Sequence, residues 1–125
     1  MEYRYLGRSG LQISALSLGA WVTMGGQIDE DTSYECMQVA YDAGVNFFDN
    51  AESYAHGNAE IVMGNLIKKA GQKRSDLVIS TKLLWGGRKP EKTGLSRKHL
   101  VEDAKAFPAR LQMGYVDLYF LSPTR

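Results

Sequence analysis

Acid–base side chains stand at the ends of two predicted strands. The phenylalanine pair at positions 47–48 is typical of a buried strand, which ends at Asp49, and Tyr54 follows five residues later. A second apolar run, residues 77–81, ends at Lys82. Sites in parallel α/β proteins form at the carboxyl ends of strands. We therefore expect the carboxylate, the phenol and the ammonium group to converge at one edge of a sheet, where acid–base chemistry is available to them.

Each of these residues also has an ordinary structural interpretation. Asp49 suits a turn or a helix cap, since aspartate favours such positions. Tyr54 fits a packed aromatic side chain, and Lys82 fits a solvated charge. Taken singly, each residue fits its structural role better, and their shared placement at strand ends adds a common site as the alternative.

Composition indicates one water-soluble domain over residues 1–125. Apolar residues make up 44% of the chain, and 15 Lys and Arg against 14 Asp and Glu leave a net charge of +1. That balance gives no reason to expect a nucleic-acid partner, and no apolar run approaches the ~18 residues of a membrane span. A single cysteine, Cys36, suits a reducing compartment, so we expect a cytoplasmic protein. His56 and His99 lack metal-ligand spacing and are interpreted as surface or capping residues.

The order of predicted elements indicates an α/β fold. A hairpin over residues 3–18 comes first, and a strand then ends near Gly19. Strands and helices alternate afterwards, which predicts right-handed βαβ units and a parallel sheet. The predicted helix signals are a cap at Asp31 or Thr32 with a stop at Gly44, a cap at Asn58 with a stop at Gly71, and a start at Ser96.

The third predicted helix has an apolar face but also contains a proline. Its apolar face would contain Leu100, Ala104, Phe107 and Leu111. Pro108 lies well inside it, so we expect the helix to kink or split near Ala104. A polar loop over residues 85–96 precedes this helix, and the last predicted strand covers residues 115–121.

Five segments together resemble the aldo-keto reductases, in particular the branch that includes the voltage-gated potassium channel β-subunits. The similarity runs from residue 1 to about residue 121. It implies a partial (β/α)₈ TIM barrel, made of the first half with an N-terminal β-hairpin, and an NADPH-dependent reduction of carbonyls. The segments are Tyr3-Arg-Tyr-Leu-Gly-Arg-Ser-Gly-Leu, Gly19-Ala-Trp, Asp49-Asn-Ala-Glu-Ser-Tyr, Ser80-Thr-Lys and Gly94-Leu-Ser-Arg-Lys-His.

The resemblance assigns roles to individual residues. It implies that Asp49, Tyr54 and Lys82 are three members of a catalytic tetrad. The chemistry agrees, because hydride transfer to a carbonyl leaves negative charge on oxygen, which a proton donor must neutralise. A tyrosine keeps its proton at pH 7, a lysine ammonium eases its release, and an aspartate keeps the lysine charged. The residues that the resemblance places at the cofactor are Ala20, Trp21, Gln27, Asp49 and Ser122.

Two features depart from the family pattern. Ser122 stands where the family usually has a histidine, or an asparagine in the channel subunits, and serine lacks an imidazole's shape and charge. A full barrel takes about 250 residues, so this chain has material for only the first four barrel strands. Two open sheet edges would then invite self-association.

Three hypotheses follow. The first is an NADPH-dependent aldo-keto reductase acting on aldehydes or ketones, or an N-terminal piece of one, and the second is a regulatory subunit with a channel partner. The third is a catalytically inactive remnant, truncated after the fourth barrel strand. Because the walls of the cofactor pocket are incomplete, we expect the isolated chain to reduce little or nothing. No metal site is expected.

Overall fold

The computed structural model describes residues 1–84 and 89–122, so the first four residues of the predicted polar loop lie outside the described part. The chain begins with an antiparallel hairpin, β1 (Tyr3–Tyr5) and β2 (Gln12–Ser14). A parallel sheet with three helices follows, in the order β3 (Leu18–Gly19), α1 (Glu30–Asp42), β4 (Phe47–Asp49), α2 (Asn58–Ala70), β5 (Val78–Leu84), α3 (Arg97–Leu111) and β6 (Leu118–Ser122).

The parallel sheet has the strand order β3-β4-β5-β6, so each strand pairs with the next one along the chain. This confirms the predicted succession of βαβ units and the barrel-like first half. In the register, Gly19 pairs with Asp49, and Asp49 pairs with Ser80. Because side chains alternate between the two faces of a strand, Ser80 and Lys82 lie on the same face as Asp49.

The hairpin is attached to the residues just before β4. The hydroxyl of Tyr3 donates to the carbonyl of Gly44 at 2.7 Å, and the Ser14 amide donates to the Asn46 side chain at 2.7 Å. These contacts fix the hairpin at the amino ends of the strands, away from Asp49. The hairpin therefore supports the sheet from the end opposite the candidate site.

The start of α1 differs from the predicted one. Asp29 caps this helix, because its backbone is extended and its carboxylate accepts from the Thr32 amide at 2.7 Å. The predicted cap at Asp31 or Thr32 is therefore wrong. Asp31 lies instead in the first turn, where its charge suits the helix dipole. The predicted stop is confirmed, since Gly44 follows the helix with a φ of 90°.

The start of α2 also differs in detail. Gly57, with a φ of 90°, occupies the capping position. The predicted cap, Asn58, is wrong because its side chain donates to the carbonyl of Gly25 at 2.9 Å and is not available to the helix. The stop at Gly71 is confirmed, with a φ of 68° that glycine adopts without strain.

The third helix begins as predicted and continues further than predicted. The Ser96 hydroxyl accepts from the His99 amide at 3.1 Å and caps α3. The helix runs unbroken through Pro108, so the predicted split near Ala104 is wrong. Pro108 lies in the last turn of α3, so the one intrahelical bond that its missing N–H removes is close to the end of the helix. Its carbonyl still accepts from the Met113 amide at 3.1 Å.

The buried face of α3 is half polar. The expected apolar face is confirmed at Phe107 and Leu111, but Ala104 is exposed. His99 and Asp103 are buried in its place. The interpretation of His99 as a surface residue is therefore wrong, although that of His56, which is exposed, is confirmed.

The main core lies between the sheet and the helices. Its largest fully buried apolar side chains include Met37 from α1, Phe48 from β4, Met63 and Leu66 from α2, and Ile79 from β5. No helix in the described residues has both the length and the apolar character that crossing a bilayer requires.

Gly64 allows α2 and α3 to approach closely. A Cβ atom at this position would lie 2.5 Å from the Leu111 carbonyl oxygen and 2.7 Å from its carbon. We expect Gly64→Ala to lower the free energy of unfolding by about 1–3 kcal/mol, because the backbones must separate. Gly114→Ala is the matched control, since a Cβ there meets nothing within 4 Å. Equal urea midpoints for the two variants would contradict this close approach.

Candidate active site

The strand ends bring a carboxylate and an ammonium group into direct contact. Lys82 Nζ lies 2.5 Å from Asp49 Oδ2, and the Ser80 hydroxyl donates to Asp49 Oδ1 at 2.5 Å. Only 17% of the Lys82 side chain and 26% of the Asp49 side chain are exposed. Asp49 is thus held at both oxygens, and the expected contact between the two strand ends is present.

Tyr54 completes the group of three. Its side chain is buried, and Lys82 Nζ lies 5.1 Å from the centre of its ring. The Trp21 ring stacks beside it, with ring centres 6.1 Å apart and planes 21° apart. The three residues therefore occupy one place in the fold, with the ammonium group between the carboxylate and the phenol ring.

A buried amide fixes the loop between Asp49 and Tyr54. Asn50 is fully buried, and its side-chain nitrogen donates to the Ala59 carbonyl at 3.0 Å. Its side-chain oxygen accepts from the Ala51 amide at 2.9 Å. These bonds tie the start of the loop that leads to Tyr54 to α2.

The backbone around Tyr54 is conformationally demanding. Ala55 and His56 have φ values of 47° and 56°, and Gly57 follows at 90°. Val22, across the cleft, has a φ of 71°. Left-handed conformations are costly for residues with a Cβ, and they occur at functional sites where the surrounding structure enforces them.

A cleft of about 300 Å³ opens beside Tyr54. Trp21 is 62% exposed and forms part of its wall, together with Gln27. Ala20 is fully buried beneath it, and its amide donates to the Asp49 carbonyl at 2.9 Å. Among the described residues, those that line the cleft are Trp21, Val22, Met24, Gly26, Gln27, Ser53, Tyr54 and Ala55.

The expected cofactor residues thus have different placements. Trp21 and Gln27 line the cleft, whereas Ala20 is buried outside the lining and Asp49 lies at the end of β4. Ser122 lies at the end of β6, paired with Leu84, and is not among the residues that line the cleft. An aromatic ring and an amide suit the flat nicotinamide end of NADPH. Within residues 1–84 and 89–122, no Lys or Arg lines the cleft to contact its phosphate groups.

Metal ligation has no support in the described part of the chain. No group of three or more His, Cys, Asp or Glu side chains there lies close enough together to hold an ion.

A buried ionic network lies behind the loop, and it was not predicted from the sequence. Arg110 forms ion pairs with Glu60 and, at 2.6 Å, with Asp103. Thr81 donates to Glu60 at 2.6 Å, and Tyr119 donates to Asp103 at 2.9 Å. Burial raises the pKa of Glu60, while Thr81 and Arg110 oppose that shift. Burial and the bond to Asp103 raise the pKa of Tyr119 well above its ordinary value.

Known proteins share both the sequence and the fold. A sequence model described as the Aldo/keto reductase family matches residues 15–122. A probable voltage-gated potassium channel subunit beta from Arabidopsis thaliana is 55% identical over 120 residues, which cover 96% of this chain and 37% of that protein.

A solved structure of an aldo-keto reductase has a matching fold. The crystal structure of the thermostable aldo-keto reductase Tm1743, in complex with the inhibitor epalrestat, matches with a TM-score of 0.82 and 34% identity. The match covers 99% of this chain and 44% of that one. The chain thus spans less than half the length of either protein. By its sequence and its barrel-like first half, the chain belongs to the aldo/keto reductase family.

Proposed function

We propose that this chain carries the proton-donating half of an NADPH-dependent carbonyl reductase site that acts on aldehydes or ketones. The observation that carries the proposal is the ion pair between Asp49 and Lys82, at 2.5 Å, beside the buried ring of Tyr54. An aldo/keto reductase needs a proton donor of this kind next to the reacting carbonyl.

The three side chains divide the work. The Tyr54 hydroxyl donates a proton to the carbonyl oxygen as negative charge develops there. Lys82 favours the phenolate that remains, because an ammonium group stabilises a nearby negative charge. Asp49 keeps Lys82 charged and oriented, and Ser80 holds Asp49 in place. NADPH, when bound, supplies the hydride.

The cleft residues orient the cofactor and the substrate in this proposal. The exposed ring of Trp21 and the amide of Gln27 hold the nicotinamide end of NADPH, and Ala20 and Asp49 form the floor beside it. Ser122, at the fourth tetrad position by family register, hydrogen-bonds the substrate carbonyl. Its hydroxyl orients that oxygen more weakly than an imidazole would.

The isolated chain is expected to be a poor catalyst. Positioning of the reactants supplies roughly 7–11 kcal/mol of a barrier reduction in well-oriented systems. The described residues that line the cleft lie in the loops after β3 and β4, and both β3 and β6 have a free edge in the described part of the chain. Without an opposing wall, hydride donor and carbonyl are not held in line.

A hybrid barrel tests the proposal. Residues 1–122 replace the structurally matching segment of the Tm1743 aldo-keto reductase, and NADPH oxidation is followed with para-nitrobenzaldehyde. We expect the hybrid barrel to reduce the aldehyde and the isolated chain to remain near background. A folded hybrid barrel that binds NADPH without turnover would refute the proposed activity. Turnover by the isolated chain would contradict the expectation that this chain alone is a poor catalyst.

A regulatory role is the second candidate, because the relative at 55% identity is described as a probable channel β-subunit. In that case the pocket senses the redox state of NADPH for a channel partner. A pull-down with the cytoplasmic domain of a voltage-gated potassium channel tests this regulatory role. If the domain captures none of the chain at physiological salt, the role is excluded. Either role places the protein in the cytoplasm, which suits the single Cys36.

Association between copies and loss of function remain predictions. Phe120 and Leu121 are both exposed on β6, which favours self-association through this edge. Size-exclusion chromatography tests it, and a purely monomeric chain would contradict it.

The inactive-remnant hypothesis requires that the hybrid barrel also fails to turn over.

A further inference from the structure

His99 has a defined proton on one ring nitrogen. It is 3% exposed, and its Nδ1 lies 2.7 Å from the carbonyl oxygen of Gly94. A carbonyl oxygen only accepts hydrogen bonds. Nδ1 must therefore carry a hydrogen.

The second ring nitrogen of His99 faces a carboxyl group, and this contact requires another proton. His99 Nε2 lies 3.0 Å from Glu52 Oε2. In a neutral imidazole with hydrogen on Nδ1, Nε2 accepts, and an ionised carboxylate also accepts. Two acceptors at this distance do not bond. The pair must hold one further proton, on Nε2 or on the carboxyl group.

Glu52 connects this proton to the candidate active site. It lies two residues before Tyr54, and its backbone amide donates to the carbonyl of Lys82 at 3.0 Å. Its second carboxyl oxygen, Oε1, is buried and has no hydrogen-bond partner among residues 1–84 and 89–122. The bond to His99 is thus the one side-chain hydrogen bond that joins Glu52 to α3 among the described residues.

We propose that Glu52 and His99 share one titratable proton that fastens the loop of residues 50–57 to the start of α3. Loss of that proton places two acceptors face to face in a buried site. The loop then loosens, and Tyr54 with it. His99 and Glu52 are positioning residues in this account, which concerns the place of Tyr54 and stands whether or not the chain reduces carbonyls.

The surrounding charges set the direction of the effect. Burial raises the pKa of Glu52, the Asp103 carboxylate raises it further, and His99 and Arg110 oppose the shift. A raised pKa in an acid means stability that is present at low pH and is lost as pH rises. The bond between Glu52 and His99 is therefore formed at acid pH and is lost with increasing pH. The titratable or charged groups around the pair are Lys82, Lys92, Glu60, Glu102, Asp103, Arg110 and Tyr119.

Nitrogen NMR of the wild-type chain tests the shared proton directly. The sequence has two histidines, so exposed His56 serves as the internal reference. We expect Nδ1 of His99 to keep its hydrogen throughout a pH titration. The Nε2 signal and the backbone amides of residues 51–54 are expected to shift together with one midpoint.

The variant Glu52→Gln separates a shared proton from simple packing. The glutamine amide can donate its N–H to a neutral Nε2 or accept from a protonated Nε2 through its oxygen, so the bond to His99 persists without a proton on the residue 52 side chain. We expect the pH response of amides 51–54 to disappear in this variant while that of His56 persists.

Three results would overturn the proposal: His99 Nδ1 without hydrogen at neutral pH, amides 51–54 that do not follow Nε2, or an unchanged response in a folded Glu52→Gln variant. The first two come from the wild-type chain alone.

Discussion

In the hybrid barrel, Tyr54→Phe is expected to lower the rate of aldehyde reduction by about 10²–10⁴-fold, the usual contribution of a general acid. The phenylalanine ring keeps the stacking on Trp21 and the contact with Lys82. Only the hydroxyl proton is lost, so NADPH affinity is expected to stay unchanged. The measurement is NADPH oxidation at saturating aldehyde, with cofactor binding followed by fluorescence.

A second tyrosine provides the matched control. Tyr5 lies in the hairpin and is 67% exposed, so Tyr5→Phe removes the same atom from a remote place. It is expected to leave the rate unchanged. Equal rates in the parent and in a folded Tyr54→Phe hybrid would show that Tyr54 is not the proton donor.

Arg110→Met is expected to lower the free energy of unfolding of the isolated chain by about 3–5 kcal/mol. Arg110 is the partner of Glu60, which is fully buried, and of Asp103. Removing one side of a buried ion pair leaves an uncompensated buried charge. Since small domains are stable by only about 5–15 kcal/mol, this loss is a large fraction of the stability of the fold. Urea unfolding followed by circular dichroism measures it.

Another arginine on the same helix calibrates this result. Arg97 is exposed at the first position of α3, so Arg97→Met changes the same atoms in water and is expected to alter the midpoint little. If the two variants unfold at the same urea concentration, the buried network does not stabilise the fold as argued.

Local sequence chemistry predicted three of the six helix ends. Gly44 and Gly71 end α1 and α2 because glycine takes a positive φ without strain, and Ser96 caps α3 through its hydroxyl. The start of α1 was harder, because Asp29, Asp31 and Thr32 all suit a cap. Only the extended backbone at Asp29 decides between them.

The convergence of Asp49 and Lys82 was predictable because parallel neighbouring strands bring their carboxyl ends together. The network behind the loop was not. Glu60 and Arg110 are 50 residues apart in sequence, and no local pattern indicates which distant charges will meet. The one local signal was His99 and Asp103, four residues apart on the helix face that also carries Phe107.

The central claim is that Tyr54 and Lys82 act as one proton-donating unit, and a double-mutant comparison in the hybrid barrel tests it most directly. Rates are measured for Tyr54→Phe, Lys82→Met and the two combined. Residues that act as a unit have strongly non-additive effects on rate, because Lys82 works only through the Tyr54 hydroxyl. We expect the double variant to be no slower than Tyr54→Phe alone. Losses that multiply in the double variant would contradict the account.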